Sequence, residues 1–132
     1  MHDLRALLAG MAPALLPGEY VFCTLPPGTE PLAGIVPFAT VREAEGLTMV
    51  VERGLAPPDA PCSAPMRPIT LTVHSSLDAV GFIAAIARAL ADAGIPANVI
   101  AGYHHDHVLV PAERAADAMR ALRAISDGSR RP

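Results

Sequence analysis

The sequence predicts an α+β protein made of two tandem ferredoxin-like units, each an antiparallel sheet with helices on one face. Three observations predict it. The C-terminal half alternates strand-like and helix-like runs in the order β-α-β-β-α, one strand short of a complete ferredoxin-like unit. The N-terminal half repeats the strand-then-hairpin part of that order. A stretch dense in proline separates the two halves. The predicted boundaries are a degenerate first unit over 1–54, a linker over 55–68, a full second unit over 69–126 and a tail over 127–132.

The chain opens on an amphipathic helix near Asp3–Met11. Leu4, Leu7, Leu8 and Met11 fall on one stripe at i, i+3, i+4 and i+7, and Pro13 and Pro17 stop the helix. Tyr20–Leu25 is β-rich and ends at Pro26-Pro27-Gly28. Gly34–Val41 and Leu47–Val51 read as two strands around a turn at Arg42–Gly46, with Val36, Phe38 and Thr40 in one phase and Leu47, Met49 and Val51 in the other. Pro37 marks the first of these as an edge or bulged strand. The competing reading makes Thr40–Glu45 a helical turn.

The linker carries Pro57, Pro58, Pro61, Pro65 and Pro68, too many for a long helix or a central strand. Ile69–Val73 is then a strand by its β-branched content. Ser75 and Asp78 have the spacing of a capping box with Asp in place of Glu, and predict a helix whose buried face is Val80, Ile83, Ile86, Ala87 and Leu90. Gly94 ends that helix at a C′ position. Ile95–Ala101 and Asp106–Val110 are the next two strands. Pro111 opens a last helix that buries Ala115, Met119, Leu122 and Ile125. The strand this half lacks can come from the N-terminal helix region or from a strand near Ala14–Leu16.

Composition narrows the function classes. The 132 residues are 52% hydrophobic and 17% charged, enough apolar material for a folded core. Net charge is −3, all ten basic residues are Arg, and no basic cluster forms, so a nucleic-acid partner is not expected. No run approaches a transmembrane length, and no address marks a destination, so the expected location is cytoplasmic and no membrane partner is expected. Cys23 and Cys62 lie far apart in sequence and read as two small reduced residues.

The residue types present admit two sharper chemistries. His104, His105, Asp106 and His107 contain metal-ligating groups, with His105 and His107 on one face of a strand. They lack any HxxxH or HExxH spacing and read better as a polar turn, so no metal or cofactor is expected. His74, Ser75 and Asp78 hold the residue types of a catalytic triad, but neighbours in a strand-to-helix turn do not converge, and no GxSxG elbow or phosphate loop is present. The chain is therefore read as not an enzyme.

The segment TVHSSLDAVGFIAAIARALADAGIPANVIAGYHHDHVLVPAERAADAMRAL resembles an ACT domain. The features it shares are a polar loop after the first strand, a glycine at the helix start, LADAGI followed by Asn, and a hairpin ending in VLVP. It is similar to aspartate kinase regulatory domains, to cytosolic arginine sensors and to small stand-alone double-ACT proteins of bacteria. The resemblance is specific over 69–125 and looser over 19–52, where a proline-glycine loop replaces the first helix. It implies a non-catalytic regulatory protein that binds a small ligand, an amino acid above all, at the interface between ACT units. The implied ligand positions are Ser75, Ser76, Leu77, Asp78, Ala79, Val80 and Gly81, with Asn98, Val99 and Ile100 from a strand. A helix N-terminus suits a carboxylate, and Asp78 could pair with an ammonium group. ACT units pair through their open edges, so a homodimer is expected. The alternative is a protein-interaction module that assembles through those edges without a small molecule.

Overall fold

The computed structural model describes residues 3–31, 33–73 and 79–131, which fall into two compact units. One joins residues 3–17 to residues 67–131; the other spans Gly18–Met66.

The first unit begins with helix α1, Leu4–Gly10, capped by the Asp3 carboxylate on the Arg5 amide at 3.0 Å. Strand β1, Ala12–Leu15, follows at once. It runs antiparallel to β5, Met66–Thr72, in a register from Ala12↔Thr72 to Leu15↔Ile69, and the Leu16 amide extends the ladder to the Pro68 carbonyl at 3.0 Å. The remaining elements are helix α2, Phe82–Asp92; strands β6, Asn98–Ala101, and β7, Asp106–Pro111; a 3-10 turn, Ala112–Arg114; and helix α3, Ala115–Arg130. The strand order is β1-β5-β7-β6. That is a ferredoxin-like unit whose fourth strand arrives from the N-terminal end of the chain. Both N-terminal elements complete it, the helix as well as the strand.

Its core gathers Ile69, Leu71, Val108 and Val110 from the sheet with Phe82, Ile86, Leu90, Ala118 and Leu122 from the helices, and Leu7 and Met11 from the N-terminal segment. α3 also receives the exposed carbonyls at the end of α1. The Ser126 hydroxyl donates to the Met11 carbonyl at 2.9 Å, and Arg130 Nε donates to the Ala9 carbonyl at 2.8 Å. A helix end leaves such carbonyls without intrahelical partners, so these bonds hold α1 and α3 together. They also keep residues 127–130, read from sequence as tail, inside α3.

The second unit contains β2, Tyr20–Leu25; β3, Ala39–Glu43; and β4, Gly46–Glu52. β4 lies between the other two and is antiparallel to both. Val21, Cys23 and Leu25 pair with Val51, Met49 and Leu47, so alternation places six apolar side chains on one face. No helix covers that face among the described residues; Ile35, Ala56 and Ala60 from irregular segments pack on it instead. Gly46 is dictated by close approach, since a Cβ there would stand 2.3 Å from the Leu25 carbonyl oxygen.

Several sequence boundaries move. β3 begins at Ala39 rather than Gly34, because Gly34 turns the chain at φ +85° and Pro37 offers no amide. Val36, expected inside that strand, is 90% exposed. Thr40–Glu45 is strand and turn, not helix. β5 takes in Pro68 from the proline-rich stretch, and β6 starts at Asn98. A 3-10 turn, not the α-helix, follows Pro111. The Gly94 stop holds: at φ +72° it lets the Ile95 amide reach the Leu90 carbonyl at 2.9 Å.

Met11 is fully buried where α1 passes into β1. Met11→Ala is expected to destabilise the unit by about 3 kcal/mol, the cost of a central core truncation. Urea unfolding followed by circular dichroism measures it, and a loss under about 1 kcal/mol would show the N-terminal segment to be peripheral.

Candidate functional site

The loop between β5 and α2 was the predicted ligand site. His74, Ser75, Ser76, Leu77 and Asp78 lie outside the described residues; Ala79, Val80 and Gly81 lie within them. Gly81 adopts φ +89° and ψ −15°, a left-handed conformation that side chains disfavour, and stands as the N-cap of α2. The helix therefore starts at Phe82, later than the sequence reading placed it. Val80 falls off its buried face and is 87% exposed, and Phe82 takes the core position instead. No side chain among the described residues caps α2. Its first-turn amides thus end the loop with the positive end of an 11-residue helix.

Asn98, Val99 and Ile100 stand on β6, which pairs with β7 and forms the end of the strand order. Asn98 Nδ2 donates to the Leu109 carbonyl at 3.3 Å. Asn98 pairs with Leu109, at the end of the β6–β7 hairpin remote from its tip, whereas Ala101 pairs with Asp106 beside the tip. Within this unit the tip, not Asn98, lies against the end of β5. Val99 points outward at 37% exposure.

That tip carries histidines the sequence reading set aside as a polar turn. His105 Nδ1 donates to the Val73 carbonyl at 3.3 Å, and His107 Nδ1 shares a 3.0 Å hydrogen bond with the Thr70 hydroxyl. The two-residue alternation did place His105 and His107 on one face, and that face meets β5. The missed signal was the Thr70 and Val73 partner set, which lies more than thirty residues away in sequence. Burial lowers the His107 pKa, His105 lowers it further, and Asp106 partly opposes them. Among the described residues no group of three or more His, Cys, Asp or Glu gathers to hold a metal ion, and no helix is long and apolar enough to cross a membrane.

A cleft of about 810 Å³ lies elsewhere, within the second unit. Gly28, Thr29, Glu30 and Pro31 line it from the loop after β2, and Thr40, Arg42 and Glu43 from β3. Its charged groups are exposed to solvent. Sequence reading missed it because the loop that walls it was seen only as the absence of a helix.

The sheet-and-helix order of the first unit and the strand-hairpin order of the second agree with two matches to models of the ACT domain, over residues 1–59 and 63–124. The chain belongs to the ACT-domain family. It is similar over 93% of its length to a solved Vibrio cholerae protein of unknown function, described as a possible transport protein, with 47% identity, 95% of that chain covered and a TM-score of 0.82. A protein from Agrobacterium tumefaciens shares the fold at 18% identity and TM-score 0.77, over 88% of this chain and 89% of that one. The regulatory subunit of aspartate kinase from Thermus thermophilus shares it at 16% identity and TM-score 0.69, over 86% and 95%. No curated protein matches the chain. ACT domains are commonly regulatory ligand-binding modules rather than catalysts.

His107 supplies a pH prediction. Its folded pKa is below the unfolded value near 6.5, so the neutral ring is the form the fold favours. The stability it contributes is full above about pH 6.5 and is lost as pH falls from there through the folded pKa. The melting temperature should drop as pH falls below about 6.5, and His107→Gln should flatten that drop. Equal slopes in both proteins would remove His107 as the cause.

Proposed function

We propose that the protein is a non-catalytic regulatory sensor that binds an amino acid at the loop between β5 and α2, against β6 of a facing ACT unit. The observation that carries this is the start of α2: a left-handed glycine, no side-chain cap among the described residues, and helix amides left at the loop. Amides at a helix N-terminus, with the dipole behind them, stabilise a carboxylate. In this reading Ser75, Ser76 and the amides of Leu77–Gly81 hold the ligand carboxylate, and Asp78 holds its ammonium group. Asn98, Val99 and Ile100 come from the facing unit. That role is consistent with Asn98 standing at the end of the β6–β7 hairpin remote from its tip.

A facing unit supplied by a second copy of the chain makes the protein a homodimer. β6 is the end of its unit's strand order, and Val99 on it faces solvent. The same exposed strand edge favours a second reading, an interaction module that assembles through it with no small molecule.

Thermal denaturation against each of the twenty amino acids at millimolar concentration separates the two. The sensor reading expects one or a few to raise the melting temperature by about 5–10 °C, since ligand at a hundredfold excess over Kd stabilises by roughly 2.7 kcal/mol. Asp78→Ala should then weaken binding at least about tenfold in calorimetry, the loss of one charge-assisted contact. No shift with any amino acid would leave the interaction module as the better account.

A further inference from the structure

Cys23 and Cys62 are distant in sequence but adjacent in the second unit. Cys23 sits in β2 with its side chain in the core, 3% exposed; Cys62 lies in the proline-rich segment and is exposed. The two residues face each other in an antiparallel bridge. Its backbone bonds flank the pair: the Ser63 amide donates to the Phe22 carbonyl at 2.8 Å, and the Thr24 amide donates to the Pro61 carbonyl at 3.2 Å. The Phe22 amide also donates to the Ser63 hydroxyl at 2.9 Å. Cysteines between such bonds occupy a non-hydrogen-bonded site, where facing Cα atoms are about 4.5 Å apart and side chains approach most closely. That spacing lies inside the range of roughly 4.4–6.8 Å that a disulfide spans. Neither cysteine is in a disulfide, and the Cys62 thiol donates to the Ala60 carbonyl at 3.3 Å. Cys62 is exposed, so a small oxidant reaches its sulfur from solvent.

We propose that Cys23 and Cys62 form a reversible redox site, in which a hydroperoxide oxidises the exposed Cys62 and Cys23 then closes a disulfide that ties the proline-rich segment to β2. The Cys62 thiolate attacks one peroxide oxygen. The O–O bond breaks, Cys62 becomes a sulfenic acid, and the departing hydroxide is protonated to water. Cys23 then gives up its proton and attacks the Cys62 sulfur; the S–O bond breaks and a second water leaves. Two thiols lose two electrons and two protons, and hydrogen peroxide is reduced to two waters. The order follows from access. Burial pushes the Cys23 pKa up, and the neighbouring Cys62 sulfur adds to the rise, so Cys23 is the poorer first nucleophile. Closure fixes the segment whose Ala56 and Ala60 cover the second unit's sheet in place of a helix.

The test treats the reduced full-length protein with one equivalent of hydrogen peroxide, followed by intact mass and a non-reducing peptide map. The expected product is about 2 Da lighter, links the Cys23 and Cys62 peptides within one chain, and reverts with dithiothreitol. Its melting temperature should rise by about 5–10 °C, because the closed loop restricts the unfolded chain. Cys62→Ser, a surface change that leaves the core intact, should form no such product and keep Cys23 as a thiol. A sulfinic acid on Cys62 beside a free Cys23, a link between two chains, or no reaction at the thiols would each overturn the proposal.

Discussion

The pairing of β1 with β5 is the constraint on which the first unit depends. Without β1, β5 would present an open row of backbone groups, and the unit would have three strands against three helices. Four residues are enough to close that edge, because the contacts on either side extend it. The Leu16 amide and the Arg67 guanidinium continue it past Leu15, with Arg67 Nη2 donating to the Leu16 carbonyl at 2.8 Å, and the Thr72 hydroxyl donates to the Ala12 carbonyl at the other end. Pro13 is tolerated because β1 sits at the outer side of that pairing, where a missing amide disturbs no second ladder within the unit. α1 follows from the same constraint. Once β1 is in place, the preceding turn brings Leu7 and Met11 onto the core, and α3 supplies the donors its last carbonyls need.

The position of the candidate ligand loop is a consequence. The loop leaves from the end of β5, so β5 must be held on both sides for the loop to start from a fixed point. β1 holds one side. β7 and the hairpin tip hold the other, through Thr70–His107 and Val73–His105. The left-handed turn at Gly81 then returns the chain into α2, with Phe82 locked in the core. The second unit is built differently. Its three strands have their apolar face covered by irregular segments, and its loop after β2 lines a cleft rather than leading into a helix.

Local pattern carried much of this. Tyr20–Leu25, the Leu47–Val51 strand, the Gly94 stop and the apolar faces of α2 and α3 were legible because each depends on periodicity or on one residue's backbone preference. The alternation of His105 and His107 was legible for the same reason, but their partners were not. The helix start was misplaced at the loop because Ser75 and Asp78 make a plausible cap by spacing alone, while the left-handed turn at Gly81 that delays the helix is a property of three-dimensional context. The N-terminal strand was harder still. Ala12-Pro13-Ala14-Leu15 is short and poor in β-branched residues, so a strand near Ala14–Leu16 stood only as one of two candidates, and its partner lies over fifty residues away. The Cys23–Cys62 pairing was invisible because a single bridge through a proline-rich segment has no sequence period.

Backbone hydrogen exchange tests the central claim most directly. If β1 is an integral strand of the first unit, the amide of Leu16 should exchange only through global unfolding, with protection equal to that of Ile69 and Leu71 in β5. Exchange at Leu16 as fast as in a fraying terminus, with β5 still fully protected, would contradict the account.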